Sequence, residues 1–193
     1  MEPGRKLFKL KTTNKLNSMH TNITIQKATP VDVLGIGEVF YKTWLATYPN
    51  EEIGITTEDV EFRFKDRKNR DGSKFANIPD NELFLVAKEG DGVVGVCDLI
   101  KHHEKNELKA IYILPEYQGR GIGKKFWNEA LKFFDLKKDT IVNVVTYNNN
   151  AIEFYKRLGF EDLGKRFMDE HFRMESGAIP PEMEMVMPAG KSL

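Results

Sequence analysis

The chain has 193 residues, of which 40% are hydrophobic and 30% are charged. That size fits one ordinary globular domain with a full hydrophobic core, and we expect a single domain. The 29 basic and 29 acidic residues cancel. The charge balance therefore favours neither a nucleic-acid nor a membrane partner, and no apolar run reaches the length of a membrane span. We expect a soluble, cytoplasmic protein.

The first 18 residues differ in composition from the rest of the chain. They carry five basic side chains and one acidic side chain, with little apolar content. This stretch lacks both the apolar core of a secretory signal and the Arg/Ser bias of a transit peptide. We expect a loosely ordered basic arm over residues 1–18 and a compact domain over residues 19–193.

The first third of the domain predicts one strand and two helices. Residues 22–27 alternate between apolar and polar and predict a strand. Thr29 or Asp32 is the expected N-cap of a first helix, which runs through about Leu45. A second helix is expected over residues 57–67, after a break at a Tyr-Pro-Asn sequence.

A β-hairpin is predicted next. Residues 82–88 and 93–100 are strand-like runs, and the Gly-Asp-Gly sequence at 90–92 joins them. The second run contains Cys97, the single cysteine of the chain. It cannot form an internal disulfide, and we expect it to be a small buried side chain. His102 and His103 follow without partners at metal-ligand spacing, so we expect no metal site.

Three glycines follow the central strand at alternate positions. The strand is predicted over residues 107–114 and stops at Pro115, and the sequence QGRGIG at 118–123 leads into helical spacing over residues 121–133. The first turn of a helix has backbone N–H groups without intrahelical partners and carries the positive end of the helix dipole. Glycines there let a phosphate approach the backbone, so the segment predicts an anion cradle.

Two common phosphate-binding loops do not fit this segment. A Walker A loop needs Gly where Gln118 stands and Ser or Thr where Lys125 stands. The dinucleotide fingerprint needs Gly where Lys124 stands.

The remaining pattern completes a mixed sheet flanked by helices. A mostly apolar strand is predicted over residues 140–145, a helix over 151–158, and two closing strands over 160–168 and 182–187. Gly159 is a natural residue to follow the helix end. The methionine stripe of the last strand is expected in the core. The predicted order is β-α-α-β-β-β-α-β-α-β-β.

Two motifs carry a family resemblance. The sequence at 118–123 has the pattern Gln/Arg-x-x-Gly-x-Gly/Ala and resembles the acetyl-CoA pyrophosphate loop of the GCN5-related N-acetyltransferase (GNAT) family. The segment 148–160 is similar to that family's Asn-x-x-Ala-x-x-Phe-Tyr-x-x-x-Gly-Phe element. The resemblance implies a single α/β GNAT-like domain with a mixed, mostly antiparallel sheet.

The resemblance also implies an activity, which is direct transfer of the acetyl group of acetyl-CoA to a primary amine. The acceptor would be a small molecule, such as a polyamine-like compound, an amino sugar or an amino acid, or a protein N-terminus. Transfer of a longer acyl group and a non-catalytic CoA-binding module are the alternatives, and a monomer or a homodimer fits equally well. The implied cofactor-binding residues are Ile111, Tyr112, Ile113, Gln118, Gly119, Arg120, Gly121, Ile122, Gly123, Lys124, Asn148, Ala151 and Phe154.

Several of these residues have a specific expected role. The Ile113 amide is our candidate for polarising the thioester carbonyl. Asn148 matches the family's contact to the pantetheine arm, and Asn150 is the alternative cap of the following helix. Tyr155 matches the family's proton donor to the departing thiolate, with packing of its helix as the alternative. Glu107 is the candidate base, with an exposed strand end or ordered water as the alternative.

The loop between the first two helices commonly frames the acceptor in this family. Here it carries Trp44, Tyr48, Glu51 and Glu52, which suit an aromatic wall with anionic contacts for an amine. The alternative is a solvated loop whose aromatic residues belong to the core.

Overall fold

The computed structural model describes residues 22–191. The predicted arm at residues 1–18 and the boundary at residue 19 lie outside the described residues. The strands are β1 (Thr24–Lys27), β2 (Glu82–Glu89), β3 (Gly92–Lys101), β4 (Asn106–Ile113), β5 (Thr140–Val145), β6 (Glu161–Met168) and β7 (Pro181–Met187). The α-helices are α1 (Val33–Thr47), α2 (Thr57–Arg63), α3 (Ile122–Phe133) and α4 (Asn149–Arg157).

The seven strands form one sheet in the order β1-β2-β3-β4-β5-β7-β6. All neighbouring strands are antiparallel except β4 and β5, which are parallel. The predicted order of elements and the mixed, mostly antiparallel sheet are confirmed. The parallel pair requires a crossover, which α3 supplies.

The parallel pair separates soon after it begins. β4 and β5 are in register only at Asn106 with Thr140 and Glu107 with Ile141. Beyond that point β5 pairs with β7 along its whole length, and β4 keeps only β3 as a partner. The rest of β4 therefore presents a bare hydrogen-bonding edge in the middle of the sheet.

A buried asparagine holds the closed end of this gap. The Asn106 side chain is fully buried and donates to the Asp135 carbonyl at 2.9 Å. Its amide oxygen accepts from the Asp135 backbone N–H at 3.2 Å. Because Asp135 lies in the connection between α3 and β5, these bonds fix the point from which the two strands diverge.

Two hydrophobic clusters lie on the sheet. The larger one contains the residues of α3 and α4 that face the sheet, together with Met183, Met185 and Met187. The core position of the methionine stripe is therefore confirmed. Cys97 is also buried there, as expected. The smaller cluster lies under α1 and α2 and includes Trp44. The gap between β4 and β5 therefore has a packed wall on each face.

The second helix is shorter than its sequence pattern predicts. It ends at Arg63 rather than at about Arg67, because Phe64 leaves helical geometry with φ −107° and ψ 15°. Arg67 then begins a separate 3₁₀ turn and forms an ion pair with Glu38 of α1 at 2.9 Å. The contact to α1 takes the chain away from the axis of α2.

Candidate active site

A cleft of about 1010 Å³ opens where β4 and β5 diverge. It runs from the glycine loop before α3, along the bare edge of β4, to the C-terminal half of α1. All but one of the predicted cofactor-binding residues line it. They are Ile111, Tyr112, Ile113, Gln118, Gly119, Gly121, Ile122, Gly123, Lys124, Asn148, Ala151 and Phe154.

The glycine loop presents bare backbone to the cleft. Gly119 and Gly121 have φ of +74° and +78°, and a Cβ at either position would meet open space. Gly121 is the N-cap of α3, so the amides that follow it have no intrahelical acceptor. This geometry suits a bound anion.

Gly123 has a different role from the two glycines before it. A Cβ there would lie 2.9 Å from the Phe154 ring. Because Gly123 has no Cβ, the first turn of α3 can pack against the Phe154 ring of α4.

The polar side chains of the loop are turned back onto the protein. Gln118 donates from its amide nitrogen to the Ile113 carbonyl at 3.0 Å. Arg120 donates to the Glu116 carbonyl at 2.8 Å and lies over the Tyr117 ring at 4.5 Å. Arg120 is the predicted residue that does not line the cleft, because these two contacts hold its guanidinium on the outside of the loop.

The edge of β4 directs alternate amides into the gap. The Leu114 N–H donates to the Val94 carbonyl of β3 at 3.0 Å. In an antiparallel pair the residue before such a bond points its N–H the opposite way. The Ile113 and Ile111 amides therefore face the cleft, as required of a donor to the thioester carbonyl.

Asn148 caps the last helix. Its side-chain oxygen accepts from the Ala151 N–H at 3.1 Å. Asn150 lies inside α4, so the alternative that Asn150 is the cap is wrong. The side-chain nitrogen of Asn148 has no acceptor among residues 22–191, and the residue lines the cleft. One Asn side chain can thus cap the helix and still donate into the cleft.

Tyr155 reaches the cleft from α4. The residue is buried, and its ring contacts the rings of Phe154 and Phe160 edge-on at 5.4 and 5.7 Å. Burial raises the pKa of its phenol above the usual value of 10. Tyr155 therefore both packs its helix and lines the cleft. Its phenol stays protonated across the physiological pH range.

Glu107 does not lie at the cleft. It is paired with Ile141 at the closed end of the gap, roughly 13 Å along the strand from Ile111. Its carboxylate bonds to the His102 ring nitrogen at 2.7 Å. The alternative of an exposed strand end fits this position, and the placement gives no support to a role as base.

The end of the cleft next to α1 is built from aromatic side chains. Tyr48 lines the cleft, and Trp44 lies behind it with the two rings stacked at 3.9 Å. The Tyr48 and Tyr112 hydroxyl groups are 3.3 Å apart. The Tyr147 hydroxyl donates to the Tyr48 carbonyl at 3.0 Å. These contacts hold the three tyrosines as one rigid wall.

Glu51 and Glu52 do not share this location. Both side chains are exposed in a turn beyond α1, and neither lines the cleft. Their position gives no support to the acceptor role expected of them.

Several cleft residues have no counterpart in the sequence-based prediction. Lys109 and Arg157 add positive charge to Lys124 along the cleft wall. Asn143 interrupts the apolar run of β5, and its buried side-chain oxygen has no hydrogen-bond partner in the described chain. A polar residue in an otherwise apolar central strand is the signal that could have identified it. The remaining additions lie on α1, on β4 and just after it, on β5 and just after it, and on α4: Thr43, Ala46, Thr47, Ala110, Pro115, Tyr117, Val144, Val145, Tyr147, Asn149, Asn150 and Glu153.

Residues 22–191 contain neither a metal-binding cluster nor a membrane-spanning helix. No group of three or more His, Cys, Asp or Glu side chains there could hold a metal ion. None of the helices between residues 22 and 191 combines the length and hydrophobicity needed to cross a bilayer.

Comparison with known proteins agrees with this geometry. The family model described as an acetyltransferase (GNAT) domain matches residues 80–162, which contain the bare strand edge, the glycine loop and α4. This segment of the chain is similar to the GNAT acetyltransferase domain. The match covers the strand edge, the glycine loop and α4 of the cleft, whereas α1 and α2 lie before it.

Two relatives and one solved structure illustrate the similarity. An uncharacterized N-acetyltransferase of Methanocaldococcus jannaschii is 37% identical over 92 residues, covering 43% of this chain and 41% of the relative. A peptidyl-lysine N-acetyltransferase of Salmonella typhimurium is 31% identical over 93 residues, covering 48% and 59%. The matches thus span about half the length of these relatives.

The solved structure is the PaiA N-acetyltransferase of Thermoplasma acidophilum in complex with coenzyme A. It superposes with a TM-score of 0.59 at 22% identity, covering 84% of this chain and 98% of that structure. At this identity the match shows a shared fold.

Proposed function

We propose that this protein transfers the acetyl group of acetyl-CoA directly to a primary amine. The observation that carries the proposal is the gap between β4 and β5, which joins an anion cradle, a bare strand edge and a buried tyrosine in one cleft. The related peptidyl-lysine N-acetyltransferase and the CoA-bound structural neighbour support the same reaction class.

The described residues fit acetyl-CoA along its length. The backbone amides after Gly121 would hold the pyrophosphate, since no side chain stands between them and the cleft. Lys124 and Arg157 place positive charge near the phosphates. The Ile111 and Ile113 amides and the Asn148 side-chain nitrogen would bind the pantetheine arm. When bound, the molecule supplies a thioester as acetyl donor and a thiolate as leaving group.

Tyr155 stabilises the departing sulfur. A free thiol has a pKa near 8.5, whereas burial holds the pKa of the Tyr155 phenol above 10. Complete proton transfer from the phenol to the thiolate is therefore uphill. The hydroxyl acts chiefly as a hydrogen-bond donor to the charge that develops on sulfur.

The acceptor is a primary amine of a small molecule or of a peptide. The three tyrosines at the end of the cleft form an aromatic wall suited to an alkyl chain and a cationic head. The peptidyl-lysine relative adds a lysine side chain to the acceptors to be tested.

The test is acetyl-CoA consumption with a panel of amines. The panel contains spermidine, glucosamine, free amino acids, Nα-acetyl-lysine amide and short peptides with free N-termini, and propionyl-CoA is the comparison donor. Acetylated product with at least one amine is the expected result. Tight CoA binding without turnover of any amine would instead indicate a non-catalytic CoA-binding module.

A further inference from the structure

A carboxylate near the aromatic end of the cleft has no hydrogen-bond or ion-pair partner among the described residues. Glu182 lies at the start of β7 and is 6% exposed. No hydrogen bond or ion pair joins its side chain to another residue between 22 and 191. Glu184, two residues further along the same strand, instead forms an ion pair with Lys165 at 2.9 Å. Burial of an unpaired carboxylate is strongly unfavourable, so this position calls for a positively charged ligand.

The sheet register places Glu182 directly behind the cleft wall, next to a lining residue, although Glu182 itself is not among the lining residues. Glu182 is opposite Val145 of β5, and Val145 lines the cleft. Directly opposite residues of an antiparallel pair point to the same face of the sheet. Val145 packs in the smaller cluster with Trp44 and Tyr48, so Glu182 points to the face that carries the aromatic wall.

The groups around Glu182 come from four parts of the chain. Burial, and to a smaller extent the charge of Glu182, raises the pKa values of Tyr48, which follows α1, and Tyr112 on β4. Tyr147 follows β5, and its hydroxyl is held against the Tyr48 carbonyl. The Asp169 carboxylate, after β6, raises the pKa of Glu182 further. It is held by the His171 ring nitrogen at 2.8 Å.

The arginine that packs on the aromatic wall is already engaged elsewhere. Arg63 of α2 lies over the Trp44 ring at 4.9 Å and donates to the His171 carbonyl at 3.0 Å. It forms no ion pair with Glu182. A carboxylate flanked by aromatic rings and lacking a protein cation is suited to a primary ammonium group.

We propose that Glu182 binds the ammonium group of the acceptor and removes its proton before acetyl transfer. This inference rests on the proposed function. An N–H bond of the ammonium breaks, the proton goes to a carboxylate oxygen of Glu182, and the electron pair stays on nitrogen. The nitrogen then attacks the thioester carbonyl carbon, and the C–S bond breaks with its electrons on sulfur. The nitrogen loses its second proton and the thiolate takes up one proton, which gives the amide and the CoA thiol.

The acceptor class follows from the same surroundings. Lysine-type amines have a pKa near 10.4, so at pH 7 roughly one molecule in a few thousand is neutral, and a base is required. Burial raises the pKa of Glu182 to about 7. Near neutral pH the group can therefore both hold and release a proton. We assign the acceptor as a primary alkylammonium, such as a lysine side chain or an alkyl polyamine.

The experiment compares Glu182→Gln with Glu184→Gln, a matched variant of the same residue type on the same strand. Initial rates for the best amine of the panel are measured from pH 5.5 to 9, with acetyl-CoA saturating. CoA affinity is measured by calorimetry. Glu182→Asp, which keeps the carboxylate, tests rescue.

Loss of general base catalysis predicts that kcat/KM for the amine falls about 10²- to 10⁴-fold in Glu182→Gln. The decline of kcat/KM below about pH 7 should disappear with it, while the Kd for CoA stays within about twofold. Glu184→Gln should keep kcat/KM within about twofold, and Glu182→Asp should recover part of the loss.

Two results would overturn the assignment. One is a Glu182→Gln protein with the parent's kcat/KM and pH profile. The other is a joint loss of CoA affinity, thermal stability and activity, which would make Glu182 a structural residue. An inactive parent protein would instead refute the proposed function, so the two failures are distinguishable.

Discussion

Replacement of Tyr155 by Phe isolates the contribution of one hydroxyl group. The variant keeps the ring that contacts Phe154 and Phe160 at 5.4 and 5.7 Å. The hydroxyl makes no hydrogen bond to another described residue, so its removal leaves no buried group without a partner. We expect the melting temperature to stay close to that of the parent.

The size of the effect follows from the pKa of the phenol. Because burial holds that pKa above 10, the hydroxyl donates a hydrogen bond to the developing thiolate rather than a whole proton. A hydrogen bond to a charged group contributes about 1.5–3 kcal/mol, which corresponds to a decrease in kcat of about 10- to 160-fold. The decrease should be the same from pH 6 to pH 9, since the phenol stays protonated over that range.

The assay measures kcat under conditions in which single-turnover kinetics show that chemistry limits the rate. CoA affinity and melting temperature are measured on the same preparation. Tyr41→Phe is the control. Tyr41 is on α1, its ring is covered by the Arg67 guanidinium, and it does not line the cleft. If kcat of Tyr155→Phe stays within about twofold of the parent, the sulfur is stabilised by solvent and Tyr155 is a packing residue.

Three further predictions concern the glycine loop and a buried acid. Gly121→Val should weaken CoA binding at least about tenfold in calorimetry. The control is Gly90→Val, at a glycine with a similar positive φ away from the cleft, which should lower the melting temperature without changing CoA affinity. Equal CoA affinities of Gly121→Val and the parent would contradict the anion cradle. Gly123→Ala places a Cβ 2.9 Å from the Phe154 ring and should destabilise the protein by about 1–3 kcal/mol in urea unfolding, whereas an unchanged midpoint would show that the ring moves aside freely. Burial raises the pKa of Asp98 to about 6, so its native state binds more protons than the unfolded chain and stability falls as pH rises from about 4 to 6. Asp98→Asn should therefore match the parent near pH 4 and exceed it by up to about 3 kcal/mol at pH 7.5, and a parent that is the more stable at pH 7.5 would refute this.

The sequence was informative where structure depends on short-range patterns. β5 runs over the predicted residues, and α3 begins at Ile122, within one residue of the predicted start of helical spacing. Gly159 has φ +97° immediately after the last helix, as its position predicted. These features depend on the strand preference of β-branched residues, on the conformational freedom of glycine and on helix capping. Residues close in the sequence determine all three.

The sequence was uninformative about which end of β4 opens. Glu107 and Ile113 lie on the same strand, and nothing local distinguishes the paired end from the bare end. The register with β5 makes that distinction, and it is set by tertiary contacts such as those of Asn106. The expected base, Glu107, therefore lies at the paired end of the strand, away from the cleft.

The two glutamates of β7 show the same limit. Alternation with methionine gives Glu182 and Glu184 equivalent sequence surroundings. One is buried without a partner and the other pairs with Lys165, because the cover above them differs. The cover over Glu182 includes Tyr48 and Tyr112, which lie far from it in the sequence, so a local pattern does not encode it.

The brief contact between β4 and β5 also has a mechanical consequence. Two residue pairs join the halves of the sheet, so the strands on either side can change their separation at small cost in backbone hydrogen bonds. A pantetheine arm along the bare edge would act as a removable strand that couples the two halves. Deuterium exchange at the Ile111 and Ile113 amides would then report occupancy, and the sheet would be stiffest when the cleft is filled. Release of product would restore the compliance that admits the next donor.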